Sequence, residues 1–287
     1  MEPRAGIEPA TYSLQEINWS EYKAYLMKKY CNQYGHAQYN IAVKYQSYLD
    51  NPLKILSLST SIRGNVLKGL IALSRYLGRY EDFSKDLKRY GVKWITQDSF
   101  KSFLSIVNNN HSDLIQWFKD CERVFPDNEK VFLKFLLVSG LRKTECERSF
   151  NRLIALHKDN KVSEYYNSET KVLEHFRYPD NLRHTKNCYI SVVSEELLSQ
   201  ICTSKSVSYT MVRRHLQSNR LGLRLRELRS LNNSFMRKHG LLSEAIDILS
   251  GRVPKSVFVQ HYLKLSLSEL SSQVLPLQVE MLKSVEA

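Results

Sequence analysis

VFLKFLLVSGLRKTE, residues 131–145, is the stretch from which the fold of this chain is read most directly. Between Val131 and Leu141 only Lys134 interrupts the apolar run. A bilayer span needs about 20 apolar residues, so this run is a core helix and no membrane segment is expected. The pattern predicts a helix over Asn128–Leu137. Gly140 then allows a sharp turn, so that Arg142 projects from the end of a rigid element.

Working outward, helical periodicity dominates. Upstream, Asn18-Trp19-Ser20-Glu21 reads as an N-cap with a capping-box partner, opening a helix in which Trp19, Tyr22, Leu26 and Tyr30 share one face. A second helix is expected over Ala37–Leu49. A third carries Ile62, Val66, Leu70, Leu73 and Leu77, with Gly78 as its C-terminal cap. A short one follows over Phe83–Tyr90. The pattern breaks at Gly91-Val92-Lys93-Trp94, where the linker is placed. Further helices are expected over Asp98–Asn108, Leu114–Val124, Ser194–Cys202, Val207–Leu216, Leu225–His239, Glu244–Leu249 and Val257–Leu263. Two β-prone runs, Lys171–Tyr178 and Thr185–Val193, flank the turn residues Pro179-Asp180-Asn181 and predict a hairpin. The organisation is therefore mainly α: an arm over 1–15, a helical domain over 16–95, a mostly helical domain with a small sheet over 96–265, and an amphipathic tail over 266–287. Leu267, Leu270, Val274, Leu277 and Leu282 give that tail a face that suits its own domain and a neighbouring subunit equally.

Composition narrows the function. Of 287 residues 43% are hydrophobic and 25% charged, a globular balance. Cys31, Cys121, Cys146, Cys188 and Cys202 are odd in number and lack CxxC pairing, which argues for a reducing cytoplasm and against a disulfide scaffold or zinc site. No apolar core follows the N-terminus, so no secretory signal is expected. The sequence holds no phosphate-binding GxxxxGK[ST] or GxGxxG loop, no HExxH and no EF-hand, so no cofactor or metal is expected. The net charge is +13, which makes nucleic acid the first partner to consider. That charge is uneven. Residues 1–95 hold 14 basic against 8 acidic residues, residues 111–180 hold 12 of each, and residues 205–264 hold 12 against 3.

Within the basic segments one order of residues carries chemistry. Gly140-Leu141-Arg142-x-x-Glu145 is followed by Arg226-x-x-Arg229 on a helix face, then by Leu249-x-Gly251-Arg252, then by Tyr262. This order resembles the catalytic domain of the tyrosine recombinases, and most closely the archaeal integrases of viruses and plasmids. The resemblance covers roughly residues 98–265, and the helical domain before it resembles their core-binding domain. It implies that Arg142 and Arg229 grip the scissile phosphate, as planar guanidinium forks match phosphate oxygens. It makes Tyr262 the nucleophile, forming a 3′-phosphotyrosyl bond, and a hairpin lysine the general acid for the leaving 5′-oxygen. Lys186 suits the acid best; Lys171 is the alternative. Two positions depart from the family pattern: Arg226 stands for the histidine of His-x-x-Arg, and Arg252 for a later histidine or tryptophan. Neither arginine can serve as a base, since a guanidinium keeps its proton and has no acceptor to offer. His261 neighbours Tyr262, but adjacent helical side chains diverge by ~100°.

The resemblance further implies double-stranded DNA attachment sites as the partner, a homotetramer working through a Holliday junction, and a cytoplasmic, nucleoid-associated enzyme that integrates and excises a mobile element. Gly6-Ile7-Glu8-Pro9 back-translates as GGG ATT GAA CCC, which resembles the T-arm of a tRNA gene and implies that the attachment site overlaps the gene's own 5′ end. Three other readings share parts of this pattern: a cellular Xer-like recombinase that resolves chromosome dimers, a type IB topoisomerase, and a catalytically inactive DNA-binding relative.

Overall fold

A computed structural model describes residues 17–94, 99–107, 112–182, 187–252 and 266–286. The chain divides into two compact units, Met1–Asn108 and Asn109–Ala287.

The first unit is helical: α1 (Trp19–Lys29), α2 (Asn32–Tyr45), α3 (Thr60–Tyr76), α4 (Tyr80–Arg89) and α5 (Ser99–Val107). Asn18 caps α1, its side-chain oxygen accepting the Glu21 N–H at 3.2 Å. The Glu21 carboxylate accepts the Tyr76 hydroxyl at 3.4 Å, tying α1 to α3. α2 begins earlier than its expected start at Ala37 and gives way at Gln46–Tyr48 to a tighter 3₁₀ turn. A second such turn, Pro52–Ser57, is opened by a proline at its first position, where the missing N–H costs nothing. On α3 the expected stripe packs inward at Val66, Leu70 and Leu73, whereas Ile62 at the open end of the helix is exposed. The core of this unit also takes in Tyr22, Leu26, Ile55 and Leu67. The linker was expected at Gly91–Trp94; the division falls after α5, which belongs with the first unit.

The second unit contains α6 (Ser112–Val124), α7 (Asp127–Ser139), α8 (Lys143–Lys158), β1 (Tyr166–Asn167), β2 (Val172–Glu174), β3 (Ile190–Val192), α9 (Glu195–Thr203), α10 (Tyr209–Ser218), α11 (Leu225–Lys238), α12 (Ser243–Leu249) and α13 (Leu267–Glu286). From Val131 onward α7 is apolar except at Lys134 and Ser139, and it is buried accordingly, with α8, α9, α11 and α13 packed against it. Phe132, Phe135 and Phe150 meet in its core, each burying a side chain worth about 2–3 kcal/mol in transfer free energy. The tail packs on its own unit: Leu270, Val274, Met281 and Val285 join this core, and Gln278 donates to the Val138 and Val192 carbonyls. Among the described residues no helix is long and apolar enough to cross a membrane.

The hairpin differs from its expected form. The sheet is antiparallel in the order β1-β2-β3, and β2 meets β3 over three residues only, with Val172 opposite Val192. Residues His175–Arg177 form a 3₁₀ turn instead of strand, and the expected turn Pro179–Asn181 is a second 3₁₀ turn. The reason lies on α8. Arg148 donates to the Asp180 carbonyl at 2.6 Å, and Arg152 pairs with the Asp180 carboxylate. Inside the turn, buried His175 lies 2.6 Å from the Tyr165 hydroxyl and 2.8 Å from that of Ser191, while Tyr165 donates to Ser149. These bonds hold the connection against the helix, where an extended strand would forfeit them.

Burial pushes the His175 imidazole down to about 3 from its ordinary value. The unfolded chain therefore takes up this proton first as the pH falls. The contribution of the neutral ring is complete above pH ~6.5 and drains between ~6.5 and ~3, at up to about 1.4 kcal/mol per pH unit. Urea unfolding followed from pH 7 to 5 is expected to show this slope, and His175→Gln is expected to flatten it. An unchanged slope in the variant would assign the acid sensitivity to other groups.

Candidate phosphate-binding cleft

The turn after α7 is set by Gly140, whose φ of +58° is left-handed. A Cβ at this position would lie 2.8 Å from the side-chain oxygen of Asn232. Asn232, on α11, donates to the Leu137 and Val138 carbonyls at 2.8 and 3.0 Å, satisfying acceptors that a helix end leaves open. The chain then places buried Leu141 in the core and Arg142 at the N-cap of α8. Glu145, one turn on, accepts the Arg142 backbone N–H at 3.1 Å and its guanidinium at 3.0 and 3.2 Å. A guanidinium has no acceptor to return, so the carboxylate does the capping and aims the arginine together.

On α11, Leu225, Leu228 and Leu231 are buried as the spacing requires, and Arg226 and Arg229 lie one turn apart. Arg229 donates to the Gly140 carbonyl at 2.8 Å and to the Ser250 carbonyl. It thus ties the turn before α8 to the turn after α12. Burial, and after it the charge of Arg142 with a smaller push from Arg252, lowers its pKa from the ordinary arginine value.

The third strand of the site is Ser250-Gly251-Arg252. Gly251 has φ +64°, and a Cβ on it would sit 2.6 Å from the carbonyl carbon and oxygen of Asn187 and from the Cys188 nitrogen. The Cys188 thiol, pushed up to about 12 by burial, stays protonated and faces the Leu249 carbonyl at 3.0 Å. Arg252 donates its backbone N–H to the Asp247 carbonyl at 2.7 Å, and its exposed guanidinium lies 3.5 Å from the Asp247 carboxylate.

Arg142, Arg226, Arg229 and Arg252 come from three separated segments and line one open cleft of 860 Å³, joined by Lys143, Thr144 and Tyr209. Among the described residues, five cations and no carboxylate line it. Such a surface attracts polyanions and offers guanidinium forks to phosphate oxygens. Lys143 and Tyr209 were not anticipated. Lys143 follows Arg142 directly and opens α8, a helix missing from the sequence reading; Tyr209 is one of 17 tyrosines, with no local pattern to single it out. Lys171 lies at the end of the β1–β2 turn with φ +55°, its ammonium paired with Glu195, and is not among the cleft-lining residues. Tyr262, Lys186 and His261 lie outside the described residues, as do the expected helix over Val257–Leu263 and the Gly6–Pro9 arm. No family model matches the chain, and no curated protein or solved structure shows significant similarity to it.

Proposed function

We propose that the protein is a site-specific DNA recombinase of the tyrosine type, integrating and excising a mobile element at an attachment site that overlaps a tRNA gene. The observation that carries this reading is the convergence of Arg142, Arg226, Arg229 and Arg252 on one cleft that, among the described residues, no carboxylate lines. In the proposed reaction Arg142 and Arg229 bind the non-bridging oxygens of one phosphodiester and offset the extra charge of its five-coordinate transition state. The Tyr262 oxygen attacks phosphorus as its proton passes to water or a phosphate oxygen, the bond to the 5′-oxygen breaks, and Lys186 supplies the proton to that oxygen. A 5′-hydroxyl of a second strand then reverses the step. One phosphoester bond replaces another throughout, so neither ATP nor metal enters the balance. The Lys171 ammonium is engaged by Glu195 and Lys171 is not among the cleft-lining residues, which favours Lys186 as the acid. The two strand exchanges proceed in a homotetramer on two duplexes.

One feature favours a second reading, a DNA-binding relative without catalysis: Arg226 occupies a position where the family offers histidine, and Arg252 one where it offers histidine or tryptophan. A suicide-substrate assay separates the two. Nicked duplexes taken from the DNA flanking the gene are expected to give a denaturant-resistant protein–DNA band, and Tyr262→Phe is expected to give none. Binding without a covalent band on any duplex would favour the second reading. An adduct formed by Tyr262→Phe would move the nucleophile elsewhere, with Tyr209 as the cleft's own tyrosine the next to test.

A further inference from the structure

Lys143 is the first residue of α8, directly after Arg142, and lines the same cleft. Its ammonium nitrogen sits 3.7 Å from the centroid of the Tyr209 ring, well inside the range of cation–π attraction. Among the described residues no carboxylate pairs with it. In this it differs from Arg142, which engages Glu145, and from Arg252, which lies beside Asp247.

The ring is held in place from behind. Asn151 of α8 donates to the Val207 carbonyl at 2.8 Å and accepts the Val207 N–H at 2.9 Å. Ser208 caps α10, accepting the Met211 N–H at 3.2 Å, and Val207, Val212 and Leu216 are buried. Tyr209, the first residue of α10, is therefore set against the start of α8 by two side-chain bonds and an apolar anchor. A lysine loses much rotamer freedom when it is fixed on a ligand, and a ring that already holds it removes part of that loss. An ammonium has three donors and no acceptor, and one resting on a ring face leaves its donors to phosphate oxygen.

We propose that Lys143, seated on Tyr209, is a second phosphate-binding position of this cleft, taking a phosphate of the same strand beside the one gripped by Arg142 and Arg229. The inference rests on the reading of the cleft as a DNA site. It makes the substrate an extended phosphodiester chain and not an isolated phosphate, and it gives Lys143 and Tyr209 positioning roles.

The test is equilibrium binding of the full chain to a mixed-sequence duplex across a salt series. Loss of one phosphate contact lowers the log–log salt slope by about 0.9, equivalent to about an eightfold loss at 0.1 M salt. Lys143→Gln is expected to show that change and Lys143→Arg to restore it. Lys158→Gln removes the same charge at the far end of α8, about 22 Å away along the helix, and is expected to keep the wild-type slope. Tyr209→Leu keeps the charge, so its slope stays while affinity falls about two- to fivefold, and Tyr209→Phe recovers most of that loss. Unfolding midpoints confirm that each variant is folded. A wild-type slope in Lys143→Gln, beside a lowered one in Arg142→Ala, overturns the second position while the DNA reading stands. Equal falls in Lys143→Gln and Lys158→Gln overturn it too, as they report net charge alone. A wild-type chain that binds no duplex at low salt overturns the DNA reading and this inference with it.

Discussion

Arg229→Ala is expected to slow covalent adduct formation on a nicked duplex by at least about 10³-fold, while weakening DNA binding by only about tenfold. The asymmetry follows from where the residue sits. Arg226 and Arg252 are exposed, and in the proposed DNA complex they would act mainly as charge. Arg229 is partly buried and bonded to the Gly140 and Ser250 carbonyls, so its fork is aimed before any phosphate arrives. Preorganised donors act most on the transition state, where charge accumulates. Arg229→Lys keeps the charge but not the fork; an ammonium cannot hold two carbonyls and bind phosphate bidentately, so a loss of about 10²-fold is expected even here. Both variants also forfeit bonds across the turn, worth about 1.5–3 kcal/mol each for a charged donor. Adduct rates are therefore to be compared well below each variant's unfolding midpoint. An Arg229→Ala protein that forms adducts within tenfold of wild type would remove this residue from the phosphate clamp and leave it a structural tie.

How much of this was readable in advance varies with the range of the interaction. α7 and α11 were legible because their burial is written locally, as an apolar run broken at Lys134 and as a leucine stripe through Leu225, Leu228 and Leu231. The four arginines were legible through their order along the chain. α8 has Cys146, Phe150, Leu153 and Ile154 at helical spacing, yet went unread because the Gly140 turn and the charged residues after it suggest a loop. Of the connection between β2 and β3, the Pro179–Asn181 turn was legible but the 3₁₀ turn at His175–Arg177 was not. Its course depends on Arg148 and Arg152 holding Asp180 and on the hydroxyls around His175, all contributed by residues remote in sequence. Tyr209 is a similar case: only the tertiary clamp from Asn151 brings its ring to Lys143. Composition locates charge, and side chains bonded across elements decide which charges act together.

Gly251→Ala is expected to be the most destabilising single-methyl change in the second unit, costing about 4 kcal/mol. Two independent costs meet at this residue. The left-handed backbone alone disfavours any L side chain by about 1–2 kcal/mol. The new Cβ would also meet three backbone atoms of Asn187 and Cys188 at 2.6 Å, and backbone cannot swing aside as a flexible side chain does. Relief requires the turn to lift from the segment leading into β3, which breaks the approach of the Cys188 thiol to the Leu249 carbonyl and pulls Ser250 off Arg229. Gly240→Ala supplies the comparison, for its φ is +89° but nothing lies within 4 Å of a Cβ there. Denaturant unfolding is expected to show a small loss for Gly240→Ala and a loss at least about 2 kcal/mol greater for Gly251→Ala. If the two variants unfold alike, the contact with Asn187 is not tight in solution. The catalytic consequence is separate from stability: with Ser250 displaced, Arg229 loses one of its two anchors, so the folded fraction of Gly251→Ala is expected to cleave slowly even where it binds DNA.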